Sequence, residues 1–242
     1  MIVKSLHNEK SYFWVKVPRT GTMSYEQLFF PELYSPENSV IHQHVPFFNM
    51  HKSCGNPKKI SGGFSVVRDP IDRFISSVKY LSMKRNLFKP KNKKNYIQIC
   101  QFCGEVTVFP FKENTDMINF VDFLKDEKTF YDFIYSIFDK NCELKPGLNL
   151  YDSFQTKHTG LIESIFLTQT RLSYHPKVKI FKYENLSEFN SWIESFLGYD
   201  TTKLTQVNSS KEWSINIDVT TKKFKDLVRY LYHDDFQVFG YA

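Results

Sequence analysis

The sequence predicts an α/β fold, a single domain with a mostly parallel sheet flanked by helices. Short apolar runs of strand length alternate with segments whose apolar residues recur at helical spacing. Strands separated by helices build parallel sheets through right-handed crossovers. No internal repeat and no linker long enough to separate two domains interrupts residues 1–242, so one domain is expected.

The elements follow in chain order. Tyr12 to Val17 reads as a strand, broken by Pro18-Arg19-Thr20-Gly21-Thr22, and Ser24 to Phe30 restarts as a helix. Asn38 to His44 reads as a short strand that runs into a histidine-bearing loop. Phe64, Val66 and Val67 form a buried strand stopped by Arg68-Asp69-Pro70. Proline suits a first helical position, and Ile71, Phe74, Ile75, Val78 and Leu81 continue at helical spacing. Met83 to Asn95 is a basic loop, and helices are expected near Met117–Leu124 and Phe130–Phe138. Lys177 to Tyr183 is another strand. Leu186, Phe189, Ile193, Phe196 and Leu197 mark a helix ended by Gly198, and Phe224, Leu227, Val228 and Leu231 mark the last one.

Composition limits the function classes. The chain is 41% hydrophobic and 17% aromatic, which supports a sizeable core and argues against disorder. A net charge of +6 favours an anionic ligand but is too small to imply nucleic acid. No run approaches the ~20 apolar residues of a membrane span, and Met1 to Lys10 lacks the apolar core of a secretory signal. The expectation is a soluble cytoplasmic protein without a membrane anchor. Cys100-x-x-Cys103 could be half of a zinc site or a redox pair. No second pair at ligand spacing completes it, so no metal is expected.

Two constellations carry chemistry. In the first, Arg19, Thr20, Thr22 and Ser24 put a cation and three hydroxyls around a strand-to-helix turn. That pattern suits either a structural turn or a site for a phosphate-like anion. It is no Gly-rich lysine loop of the nucleoside-triphosphatase type. In the second, Arg68 sits at a strand's carboxyl end, and Arg73, Ser76 and Ser77 follow on one helix at polar positions. One reading is a solvated face with Asp69 and Asp72 pairing locally. The other is a second anion site, with Arg68 and Ser76 as donors. Two anion sites at strand ends of one sheet suit a nucleotide with phosphates at both ends.

These stretches, "KVPRTGTMSY" and "FSVVRDPIDRFISSVKYL", resemble the cofactor loops of sulfotransferases that use 3′-phosphoadenosine 5′-phosphosulfate (PAPS). The likeness is nearest to the carbohydrate sulfotransferases, especially the heparan sulfate 2-O-sulfotransferases. Val17–Ser24, His42-Gln43-His44 and Arg68–Ser76 match that family's order and spacing. Phe181–Leu186 and Tyr232–Tyr241 resemble a later strand and a closing signature. The resemblance implies a P-loop-like sulfotransferase fold. It implies that Pro18, Arg19, Thr20, Gly21, Thr22, Met23 and Ser24 hold the 5′-phosphosulfate, and that Arg68 and Ser76 hold the 3′-phosphate. The family carries Lys where this chain has Arg19, which keeps the charge but presents a planar fork.

The same resemblance makes His44 the base that takes the proton of an acceptor hydroxyl, a task neutral imidazole suits. His42, two residues earlier, shares its face of the strand and would assist, orient the acceptor, or do neither. The expected reaction is in-line transfer of the sulfuryl group to a hydroxyl, with adenosine 3′,5′-bisphosphate leaving and no metal needed. The acceptor would be a glycan or another alcohol, and neither nucleic acid nor membrane is an expected partner. The basic run Lys84, Arg85, Lys89, Lys91, Lys93 and Lys94 is either solvated or lines a groove for an anionic glycan. Two other readings stand beside this one: a nucleotide kinase or triphosphatase, and a non-catalytic glycan- or anion-binding module.

Overall fold

The computed structural model describes residues 1–31, 59–84, 97–99, 106–108, 126–138, 166–204 and 217–242. The chain forms two compact units, each drawn from separate stretches of sequence. The first takes Met1–Asp69, Thr168–Ser209 and Asp234–Ala242, and the second takes Pro70–Leu167 and Ser210–His233.

The first unit holds the sheet. Its strands are β1 (Ile2–Lys4), β2 (Ser11–Val15), β3 (Ile60–Val67) and β6 (Val178–Lys182), in the order β1-β2-β3-β6. The edge strand β1 runs antiparallel to β2, whereas β2, β3 and β6 are mutually parallel. Trp14 pairs with Phe64 and Val15 with Ser65, while Val67 pairs with Lys182. Parallel pairing brings the carboxyl ends of all three to one edge of the sheet, where ligands of open α/β sheets bind. The expected α/β architecture, a mostly parallel sheet flanked by helices, is thus present.

Side-chain alternation explains the packing. Tyr12 and Trp14 of β2, with Phe64 and Val66 of β3, face one side and join Phe181, Tyr25, Phe29, Phe189, Ile193 and Leu197 in a core. Phe13, Val15 and Val67 are buried on the opposite face, as central parallel strands require. Helices α1 (Thr22–Phe29) and α5 (Leu186–Trp192) cover the first side. Trp14 meets Phe29 edge-on at 5.2 Å, and Phe181 lies 4.8 Å from Phe189. Aromatic pairs of this kind contribute about 0.5–1.5 kcal/mol each beyond their buried area. The expected helix at 186–197 is α-helical only to Trp192. Ile193–Leu197 widens to a π-turn, closed by Gly198 at φ 85°.

The second unit contains α2 (Pro70–Lys84), the β4 (Ile97–Ile99) and β5 (Val106–Val108) pair, α3 (Glu127–Ile137) and α6 (Lys222–Leu231). Phe74 is its hub, with Phe166, Phe224, Tyr232 and Phe130 all within 5.5–6.3 Å. Arg73 is buried beside it. Its Nη2 donates to the Leu167 carbonyl at 2.7 Å, and its guanidinium lies over the Tyr232 ring. Ser76 and Ser77 are buried as well. This polar face of α2 is therefore not the solvated one that local pairing with Asp69 and Asp72 would suggest. The remaining described helices, α4 (Gln169–Ser173) and α7 (His233–Phe239), appear below. Among the described residues, no helix is long and apolar enough to cross a membrane.

Candidate active site at the strand ends

The first loop leaves β2 and enters α1 within six residues. Its shape comes from the backbone. Arg19 (φ 69°) and Gly21 (φ 75°) both adopt the left-handed conformation. For a non-glycine residue this costs roughly 1–2 kcal/mol, a strain of the kind held at ligand-binding turns. Thr20 is buried, and its hydroxyl donates to the Val17 carbonyl at 2.8 Å, which pins the turn from inside. Gly21 is the N-cap of α1, where no side chain caps the helix and no acidic residue occupies the first turn. Arg19, Gly21, Thr22, Met23 and Ser24 are half-buried, whereas Pro18 is buried. A helix N-terminus of this sort, approached through a curled loop, suits an anion.

An ion pair ties the two flanks of this loop together. Lys16, directly after β2, donates to Glu26 of α1, and each is 1% exposed. Burial pushes the Lys16 ammonium below its usual range, and the Glu26 carboxylate recovers part of that loss.

The second site element is the turn after β3. Arg68 and Asp69 are half-buried, and both of their amides are held by distant side chains. The Arg68 N–H donates to Gln169 Oε1 at 2.7 Å, and Gln169 Nε2 donates back to the Arg68 carbonyl at 2.8 Å. The Asp69 N–H donates to Glu184 Oε1 at 2.8 Å. The Arg68 guanidinium lies over the Tyr183 ring, 4.7 Å from its centroid.

Tyr183 also touches the first loop. A Cβ at Gly21 would sit 3.3 Å from Tyr183 Cε2, tighter than ordinary contact. Glycine is therefore favoured at position 21 twice, by its φ and by this ring. One aromatic side chain, directly after β6, thus connects the loop after β2 with the arginine after β3.

Of the residues expected from the sequence, Pro18, Arg19, Thr20 and Gly21 lie in one loop and Thr22, Met23 and Ser24 form the first turn of α1 directly after it, while Arg68 approaches Gly21 through Tyr183. Ser76 lies in the second unit, buried, and its expected role rests on the sequence alone. His42 and His44 lie outside the described residues, as do the expected strand at Asn38 to His44, the helix near Met117–Leu124 and all four cysteines. Sequence reasoning missed Tyr183, Gln169 and Glu184 as site residues. The signal for Tyr183 and Glu184 was their place directly after the "KIFK" strand. Gln169 carries no local signal, because its partner is 101 residues away.

The model of the sulfotransferase family matches residues 6–242. The chain belongs to that family, whose activity is the transfer of a sulfuryl group, so the protein is placed among the transferases. No curated protein and no solved structure matches it.

Proposed function

We propose that this protein transfers the sulfuryl group of PAPS to a hydroxyl of a carbohydrate or other alcohol, by in-line displacement. The observation that carries the reading is the Tyr183 ring, which packs against Gly21 of the anion loop and beneath the Arg68 guanidinium. Two cationic, donor-bearing strand ends that share one aromatic ring fit a nucleotide charged at both its 3′ and 5′ positions. PAPS supplies an activated sulfuryl group on a phosphate leaving group.

The chain's own residues then divide the work. The left-handed loop at Arg19 and Gly21, with the first amides of α1, receives the 5′-phosphosulfate. Arg19 offsets the charge that grows on the bridging oxygen as the sulfur–oxygen bond breaks, an electrostatic contribution that acts mainly in the transition state. Arg68 binds the 3′-phosphate. His44, assisted by His42, takes the proton of the attacking hydroxyl as the new oxygen–sulfur bond forms. That base, the closeness to heparan sulfate 2-O-sulfotransferases and the glycan acceptor rest on the sequence resemblance.

The test is transfer from PAPS to a panel of hydroxylated glycans and small alcohols, read by mass spectrometry of the sulfated product. Adenosine 3′,5′-bisphosphate and ATP with Mg²⁺ are compared as ligands in parallel. Sulfation with preferential binding of the bisphosphate is expected, and preferential binding of ATP with Mg²⁺ would redirect the assignment to a kinase or triphosphatase. His44→Ala should lose at least ~100-fold in turnover with PAPS affinity intact, since a positioned base contributes roughly 10²–10⁴-fold. Full activity with an unchanged acid limb of the pH–rate profile would place the base elsewhere.

A further inference from the structure

The turn that carries Arg68 is held from far along the chain. Gln169 engages both backbone polar groups of Arg68, and Glu184 accepts from the Asp69 amide. Each of these side chains belongs to a segment tied to residues 234–242. Asp235 is 0% exposed, and its carboxylate accepts from the Gln169 amide at 2.9 Å. It also accepts from the Thr170 amide and the Thr170 hydroxyl, both at 2.7 Å. Those bonds fix the start of α4, and with it the place from which Gln169 reaches Arg68. On the other side, Tyr241 Oη donates to Glu184 Oε2 at 3.0 Å, leaving Oε1 for Asp69. Lys182 strengthens this second tie, donating to the Gly240 carbonyl at 3.2 Å and lying 4.5 Å from the Tyr241 ring centroid.

We propose that Asp235 and Tyr241 are positioning residues for the nucleotide site, acting through Gln169 and Glu184 to hold the Arg68–Asp69 turn so that Arg68 meets the 3′-phosphate. The inference rests on the reading of Arg68 as the 3′-phosphate ligand. A flexible turn would let the long arginine side chain adopt many rotamers, and ordering it would reduce affinity on binding. Two successive amides fixed by separate side chains set the direction in which that side chain leaves the backbone, and the Tyr183 ring beneath its guanidinium restricts the rotamers. The carboxylate of Asp235 has both oxygens engaged by donors, and the Tyr241 hydroxyl remains protonated because burial, then Glu184, pushes its pKa far above the usual range.

The ratio of affinities for adenosine 3′,5′-bisphosphate and AMP isolates the 3′-phosphate, because a general loosening of the site affects both ligands. Calorimetry on wild type, Gln169→Leu, Tyr241→Phe, Arg68→Ala and the Arg68→Ala/Gln169→Leu double variant reads that ratio, with thermal melts recorded alongside. Gln169→Leu should lower it by about 5–10-fold, the worth of one or two ordinary hydrogen bonds. Tyr241→Phe, which removes one hydroxyl and leaves the ring, should lower it by about 2–3-fold and serves if Gln169→Leu folds poorly. In the Arg68→Ala background Gln169→Leu should change nothing further, because the clamp acts through the arginine. Equal losses for both nucleotides, or the same loss with Arg68 already removed, would show that the clamp supports only the fold. A ratio unmoved by Arg68→Ala itself would overturn the phosphate reading, and this inference with it.

Discussion

The loop at 18–21 and the turn at 68–69 end neighbouring strands, yet they are held in opposite ways. The first is fixed by its own neighbourhood. The Thr20 hydroxyl bonds three residues back, Ser24 N–H reaches Gly21, and the Lys16–Glu26 pair closes the flanks over ten residues. The second has its amides held across 101 and 115 residues, and its supports are themselves held across 57 and 66. A locally held loop can form as soon as β2 and α1 pack. A remotely held turn is in place only once the sheet and the segment 234–242 have assembled. The difference suits the proposed tasks, since the first loop must match charge that develops during transfer, whereas the second need only hold one phosphate.

The largest effect should come from the pair that braces the first loop. Lys16→Met leaves Glu26 buried without its cation, a loss of about 3–5 kcal/mol, whereas Lys16→Met/Glu26→Leu should recover most of it. Chemical denaturation measures both, and a double variant as unstable as the single would show that the unpaired Glu26 charge is not what destabilises Lys16→Met. The sign of the pH dependence follows from the same burial. Lys16 binds its proton less tightly in the folded than in the unfolded chain. Its contribution is fully present above the ordinary value of 10.5 and is lost as pH falls through the depressed folded value. Lys16→Met should lack that part of the wild-type rise on the alkaline side.

Next is Arg19. Arg19→Ala should lower turnover by about 10²–10³-fold, the range for removing one transition-state donor, with a smaller effect on PAPS binding. Arg19→Lys should retain substantial activity. A rise in the Michaelis constant for PAPS alone would mean that Arg19 only tethers the ground state.

Gly21→Ala sharpens the comparison on the backbone side. The left-handed φ costs roughly 1–2 kcal/mol for an alanine, and the new methyl would press on Tyr183. Weaker bisphosphate binding by about 10-fold is expected by calorimetry. Unchanged affinity and stability would show that the loop can adopt another shape.

The same contrast explains what the sequence made legible. β2, β3, β6, α1, α2 and α6 carry apolar periodicity over enough residues to be read, and the first loop announces itself because its polar residues and its supports are contiguous. Arg68 was legible as a charge at a strand end, but its supports were not. Gln169 and Asp235 sit in short helices, α4 and α7, whose five and seven residues give no periodic signal. Three-residue β1 and the β4–β5 pair are likewise too short to declare themselves. Arg73 reads as a surface charge until the Leu167 carbonyl, 94 residues on, gives it a buried partner. Polar residues bonded over long sequence distances are the part that patterning cannot reach.

Two unlike strand ends are proposed to bind the two phosphorylated positions of one nucleotide. Titration calorimetry of wild type and Arg68→Ala with adenosine 3′,5′-bisphosphate and with AMP tests it most directly. Hydrogen bonds to charged groups contribute about 1.5–3 kcal/mol. Arg68→Ala should therefore weaken the bisphosphate by at least ~10-fold and leave AMP, held by the first loop, nearly unchanged. Equal losses for the two ligands would contradict the division of labour between the loop at 18–21 and the turn at 68–69.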